Sequence, residues 1–273
     1  MTCYRFLLIL TCLMTASLSR AQDLTAKGRE IFKKHQTSVI TIELVIKSKF
    51  GFGGGGDARE SRQEVTGTVI DPSGLTAVSL SSTDPSAMLS SFMGGLGGDD
   101  EESLKLKIES EVSDIKLLTH DGSELPAEIV LRDKDLDLAF IRPKTKPSAP
   151  LPALDLSNSA KVDVLDQVIA VNRLGKVAGR AYAASIERIH AVVQRPRLFY
   201  VPGSDTTATG LGCPAFTADG KLVGLFVMRS LKSGGGAMGL FNMQSPPIIS
   251  VLLPAEDVRK VAAQVPAAKE EKK

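Results

Sequence analysis

Several classes of protein are excluded by what this sequence lacks. No apolar run is long enough to cross a bilayer as a helix; the longest, from Phe6 to Met14, is too short. Tryptophan is absent, aromatics make up 5% of the chain, and no basic cluster carries interleaved aromatics, so nucleic acid is not an expected partner. Only three histidines occur, at 35, 120 and 190, and none has metal-ligand spacing to another histidine or a cysteine; no metal and no cofactor are expected. The Gly runs near residues 53–56 and 94–98 are not followed by GK[ST], so they describe flexible loops rather than a phosphate cradle. Cysteine is scarce as well, at positions 3, 12 and 213.

What is present begins with export. Arg5, the apolar run and the small-residue exit at Ser19, Arg20 and Ala21 have the form of a secretory signal peptide over residues 1–21, with cleavage expected after Ala21. A lipoprotein reading through Cys12 fits poorly, because Thr11 is large for the preceding position and the apolar stretch before it is short. Cleavage removes Arg5, Arg20, Cys3 and Cys12. The mature chain is then formally neutral, with 31 cations against 31 acids, and is expected in the periplasm or outside the cell. It keeps Cys213 alone, can form no internal disulfide, and must draw its stability from its core. At 43% apolar, the chain has enough material for one large domain or two lobes.

The pattern along the chain is strand-rich. Residues 23–35 predict a short amphipathic helix carrying Leu24, Ile31 and Phe32, with Lys33 and Lys34 in the last turn where they suit the helix dipole. SVITIELVI at 38–46 is dense in β-branched residues and predicts a strand. Residues 65–70 and 75–80 flank a DPSG turn and predict a hairpin, and 86–111 predict a long exposed loop. Strands are expected at 115–119, at 125–131, in the apolar end of RDKDLDLAFIRP, and at 160–165, 167–172, 182–193, 198–201, 222–228 and 248–252. PKTKPSAPLP is a stiff proline-rich linker between the halves. The expected division is a first barrel with its helix over 22–143, a linker over 144–152, a second barrel with a terminal helix over 153–265, and a charged tail over 266–273. Short strands with frequent turns argue for an all-β fold, a pair of antiparallel barrels with a short helix at each end.

The most informative stretch is TGLGCPAFTADGKLVG, residues 209–224. A Gly-rich turn, a proline, a short apolar piece, an Asp-Gly hairpin signal and an apolar strand describe a tight loop held between two strands. This resembles the nucleophile loop of trypsin-like serine proteases of the HtrA/DegP type, in which GNSGGP precedes an apolar pair, a DG turn and an apolar strand. Aligned on Pro214, Gly212 and Cys213 take the family's last two glycines, and Leu211 stands where that family has its nucleophilic serine. The oxyanion loop is then Thr209, Gly210, Gly212 and Cys213. The DPSG hairpin is similar to the family's D-P-x-G turn, and counting on from Gly74 puts the histidine position at Ser81, within VSLSST. RDKDLDLAFIRP resembles the strand of the triad aspartate and places it at Asp137. PALDLSNSAKVDVLDQVIAV and IISVLLPAEDVRKVAAQV are similar to the family's approach to its second barrel and its closing strand and helix. The resemblance runs from about Ile31 to Val265, and the family's usual C-terminal PDZ module is expected to be absent.

The resemblance implies a trypsin-like double barrel whose triad positions are Ser81, Asp137 and Leu211, with neither base nor nucleophile. Asp137 reads equally as a buried, hydrogen-bonded acid at a strand edge. His35 is expected to cap the first helix, His120 to lie exposed on a turn, and His190 to alternate with Arg188 and Ile186 along a strand. Cys213 stands two residues past the nucleophile position with no base placed for it, and is expected to be a small structural residue. The expected function is that of an exported pseudoprotease binding a polypeptide or protein partner. The alternative is an active endopeptidase using Ser79, Ser81, Ser82 or Cys213. An oligomer, a trimer through the N-terminal segment, follows from family analogy alone.

Overall fold

A computed structural model describes residues 23–51, 58–84, 107–203, 210–230 and 248–267. The expected leader, the glycines at 53–56, most of the loop expected over 86–111, Thr209 and the end of the tail lie outside the described residues. Helix α1 covers 23–35 and passes through a short 3-10 turn, Gln36–Ser38, into β1. The first barrel is built from β1 (Val39–Gly51), β2 (Ala58–Val69), β3 (Thr76–Ser79), β4 (Lys107–Leu118), β5 (Glu124–Asp133) and β6 (Leu138–Pro143), with the short helix α2 (Leu80–Thr83) after β3. The second holds β7 (Gln167–Arg173), β8 (Tyr182–Val193), β9 (Phe199–Pro202), β10 (Pro214–Phe216), β11 (Leu222–Ser230) and β12 (Ile248–Pro254), followed by α3 (Ala255–Ala262). Both sheets close, in the orders β1-β2-β3-β6-β5-β4 and β10-β11-β12-β9-β8-β7.

Alternation along the strands sorts side chains into three apolar layers. On β1, Ile40, Ile42, Leu44 and Ile46 point into the first barrel. On β6, Ala139 and Ile141 join them, while Leu138 and Phe140 face the second barrel. On β7, Val168 and Ala170 fill the second barrel, and Ile169 and Val171 face the first. The layer between the barrels also takes Ile31 from α1 and Val258 and Val261 from α3. Strands buried on both faces explain why these segments are nearly continuous apolar runs, each fully buried Leu, Ile or Phe contributing about 1.5–3 kcal/mol relative to exposure.

The turns carry their own chemistry. At the DPSG turn Gly74 donates to the Asp71 carbonyl at 2.9 Å, Ser73 N–H to the Asp71 carboxylate at 2.8 Å, and Gly74 has φ +93. The turn after Thr217 closes with Gly220 at φ +78. The proline-rich segment runs back along the first barrel, Leu151 and Leu154 donating to the carbonyls of Pro72 and Val69.

Two expectations fail. Residues 160–165 form no strand: only an isolated bridge joins Ser159 to Leu222, and a turn linking Asp163 to Asp166 leads Leu165 into φ +72. The loop expected over 86–111 gives way to β4 at Lys107, because β4 follows the long β1 to its end. β1 pairs with β2 out to Lys49↔Ala58 and with β4 out to Gly51↔Lys107. Yet β2 meets β3 only at Thr68 and Val69, and β4 meets β5 only from Lys116 to Leu118. Beyond the closed barrel, β2, β1 and β4 therefore continue as a three-stranded sheet whose two outer edges are unpaired among the described residues.

Candidate functional site

The barrels meet where β3 ends and β6 begins. Ser79, the last residue of β3, lies across from Leu138, and the chain turns there into α2, whose first amide, Leu80 N–H, donates to the Asp137 carbonyl at 2.9 Å. Asp137 itself is held at φ +55, a conformation uncommon outside glycine, and is buried. Its carboxylate accepts four hydrogen bonds. Oδ1 takes the Ser81 amide at 2.7 Å and the Ser81 hydroxyl at 2.6 Å; Oδ2 takes the Ser79 hydroxyl at 2.5 Å and the Met228 amide at 2.7 Å. Met228 belongs to β11, so this carboxylate joins the two barrels. Burial is the largest influence and pushes the acid above its ordinary value, while the four donors pull the other way.

Beside this cluster lies the loop Gly210-Leu211-Gly212-Cys213. Gly212 N–H donates to the Phe226 carbonyl at 2.7 Å, Phe226 N–H to the Cys213 carbonyl at 2.9 Å, and the Thr68 hydroxyl to the Gly212 carbonyl at 2.7 Å. Gly212 sits at φ +86, and a Cβ there would lie 2.3 Å from the Thr66 carbonyl oxygen and 3.5 Å from Ser79 N. Only glycine fits against β2 in that position. Leu211 is thus the half-buried residue of a loop pressed onto the first barrel next to Ser79.

Of the residues singled out from sequence, Ser81 and Asp137 are in direct contact, and Gly212 brings the Leu211 loop to their neighbour Ser79. Thr209 lies outside the described residues. Cys213 is fully buried among Val168, Ala170 and Phe226, and burial, followed by the charge of Glu187, pushes its thiol up and away from the reactive thiolate. His35 is not a cap: it makes no side-chain capping hydrogen bond where α1 passes into the 3-10 turn, and its ring stacks on Phe216 at 4.5 Å with Nε2 buried and, among the described residues, without a partner. Packing of α1 against β10 takes the ring away from the backbone. His120 is exposed on its turn, and His190 is exposed on β8 with Ile186 and Arg188. No group of three His, Cys, Asp or Glu among the described residues is arranged to hold a metal ion.

Several contributors were not singled out. Met228 acts through its amide, which no side-chain pattern reveals. Thr66 and Thr68 flank Gly67 on β2; Thr66 donates to Asn172 Oδ1 at 3.1 Å and Thr68 to Gly212. Their period-two spacing is the one available signal. A further strap ties Glu64 of β2 to Arg180 after β7 at 2.5 Å.

Comparisons with known proteins fit this geometry. No curated protein matches the chain. Among solved structures, the MamO protease domain from Magnetospirillum magneticum in its apo form is similar at 15% identity, covering 84% of this chain and 97% of that one, with a TM-score of 0.51. At that identity the likeness concerns the fold. The sequence profile of the trypsin-like peptidase domain matches residues 65–225, from β2 to β11, more than half of the chain and inclusive of Ser81, Asp137 and Leu211. The chain belongs to the trypsin-like peptidase domain family.

Proposed function

We propose that this is an exported, HtrA-type member of the family that binds a polypeptide or protein partner without cutting it. The observation that carries the reading is the occupancy of Asp137: in place of an imidazole, the Ser81 amide and hydroxyl sit on Oδ1. A serine hydroxyl cannot take up a proton near neutral pH as imidazole does, so a nucleophile would have no base. Leu211, taken as the nucleophile position, has no lone pair to attack a carbonyl. Loss of base and nucleophile together removes several orders of magnitude of rate, leaving only binding and oxyanion effects. The other candidate groups are engaged elsewhere. Ser79 donates to Asp137, Ser82 to the Ser79 carbonyl, and the Cys213 thiol is buried. Asp137 still accepts the Met228 amide of β11, so the barrels remain joined at this point and the change is local.

The test is turnover of an unstructured protein, together with labelling by a serine-directed fluorophosphonate, for the natural protein and for Ser81→His with Leu211→Ser. No signal is expected from the natural form, and at most weak recovery from the double variant, because Thr209, Gly210 and Cys213 depart from the loop that shapes oxyanion donors. Robust cleavage by the natural protein, abolished by Cys213→Ala or by Ser81→Ala, would overturn the reading. For export, N-terminal sequencing of protein from the cell envelope should begin near Gln22; retention of Met1 in a cytoplasmic fraction would sink it.

A further inference from the structure

We propose that the open edge of β2 joins a second copy of this chain, β2 to β2 and antiparallel, about a two-fold axis at Ser61. Among the described residues the edge is open, because β2 follows β1 out to Ala58 while β3 leaves it after Thr68 and Val69. Towards the barrel the edge is occupied: Gln63 Nε2 donates to the Ser82 carbonyl at 3.0 Å, and Glu64 is taken by Arg180 and by the Lys176 amide. The free stretch therefore ends at Arg62. On it stand Glu60 and Arg62, two residues apart and so on one face of the strand, both exposed. Among the described residues neither enters an ion pair.

The register follows from symmetry and charge. In an antiparallel pair, hydrogen-bonded and non-hydrogen-bonded positions alternate, so a two-fold axis must set one residue across from itself. An axis at Glu60 puts two carboxylates face to face, and one at Arg62 puts two guanidinium groups together. An axis further along runs into Gln63 and Glu64, whose side chains are committed. At Ser61, small serines meet at the centre, Glu60 lies across from Arg62 of the second copy, and Arg62 lies across from its Glu60. Charge complementarity thus selects one register, in which residues 60–62 of the two β2 strands pair and the three-stranded extensions of two copies merge into one six-stranded sheet.

The experiment measures mass by light scattering at tens of micromolar for the natural protein, Glu60→Arg, Arg62→Glu, the double swap, and an equal mixture of the two single variants. The natural protein should have twice the mass of one chain. Each single variant sets like charges opposite each other twice and should weaken the dimer by about tenfold or more. The double swap exchanges the signs at the two positions, sets opposite charges across from each other once more, and should dimerise again. So should the mixture, in which one partner is basic and the other acidic at both positions. A single-chain mass throughout would show that the charges only guard a solitary edge, and would overturn the proposal. A trimer, a dimer indifferent to the single substitutions, or loss in the single variants without return in the swap or the mixture would overturn it equally.

Discussion

Replacing Asp137 by alanine should lower the melting temperature by loosening the point at which the two barrels meet. The carboxylate is the common acceptor for two hydroxyls and two backbone amides. The hydroxyls of Ser79 and Ser81 can rotate to other acceptors. The amides of Ser81 and Met228 cannot, and they come from different barrels. A buried donor left unpaired costs about 1–3 kcal/mol, so two such amides cost about 2–6 kcal/mol. Part of this is offset, because burial already disfavours the charged carboxylate and its removal ends that penalty. A net loss of about 2–4 kcal/mol remains, and since 1 kcal/mol shifts the melting temperature of a protein this size by roughly 2–4 °C, Tm should fall by roughly 5–15 °C. Asp137→Asn keeps the shape but turns an NH2 group towards one of the two fixed amides, so its loss should be smaller, about 1–3 kcal/mol. Differential scanning calorimetry at neutral pH measures both. If the alanine variant melts within about 2 °C of the natural protein, the four bonds do not hold the barrels together and the account of Asp137 is wrong.

Gly212→Ala should cost about 2–4 kcal/mol in urea unfolding, from φ +86 and a Cβ 2.3 Å from the Thr66 carbonyl oxygen; a neutral result would mean the loop does not lie against β2. Burial, and then the charge of Lys34, hold His35 below its ordinary value of 6.5, so its contribution to stability is full above 6.5 and is lost as pH falls through the lowered folded-state value. His35→Phe keeps a ring on Phe216 and should flatten that acid-side loss; equal pH dependence of Tm in both proteins would refute this role for His35. Cys213 should resist iodoacetamide until denaturant is added, because the thiol is fully buried and pushed up; rapid labelling of the folded protein would contradict that burial.

Much of the barrel pair was legible because its hairpins are local. The DPSG turn and the turn ending at Gly220 specify their backbone through residues that tolerate or prefer those dihedral angles, and the flanking strands declare themselves by β-branched alternation. The segment 160–165 misled for the opposite reason. Its apolar residues satisfy the same pattern, yet Ala160 bonds to the Leu222 carbonyl and Leu165 to that of Ile189, contacts set by distant chain that leave it no continuous partner strand. The start of β4 was equally invisible, since Lys107 is a strand residue only by virtue of its pairing with Gly51.

By itself, the sequence determined which chemical groups stand at the site. Ser81, Asp137 and Leu211 are identities, and no fold can give a leucine a lone pair or a serine the basicity of imidazole. It determined too the hairpin turns at DPSG and at Gly220, because these follow from nearest-neighbour chemistry. Only the tertiary structure decided how Asp137 is satisfied, that Cys213 is sealed from solvent, that His35 stacks rather than caps, and that β2 runs on beside β1 past its pairing with β3. Each of these depends on a partner far along the chain, several of them on a backbone amide or carbonyl. Main-chain groups are the same at every position, so their meeting leaves no mark in the order of residues.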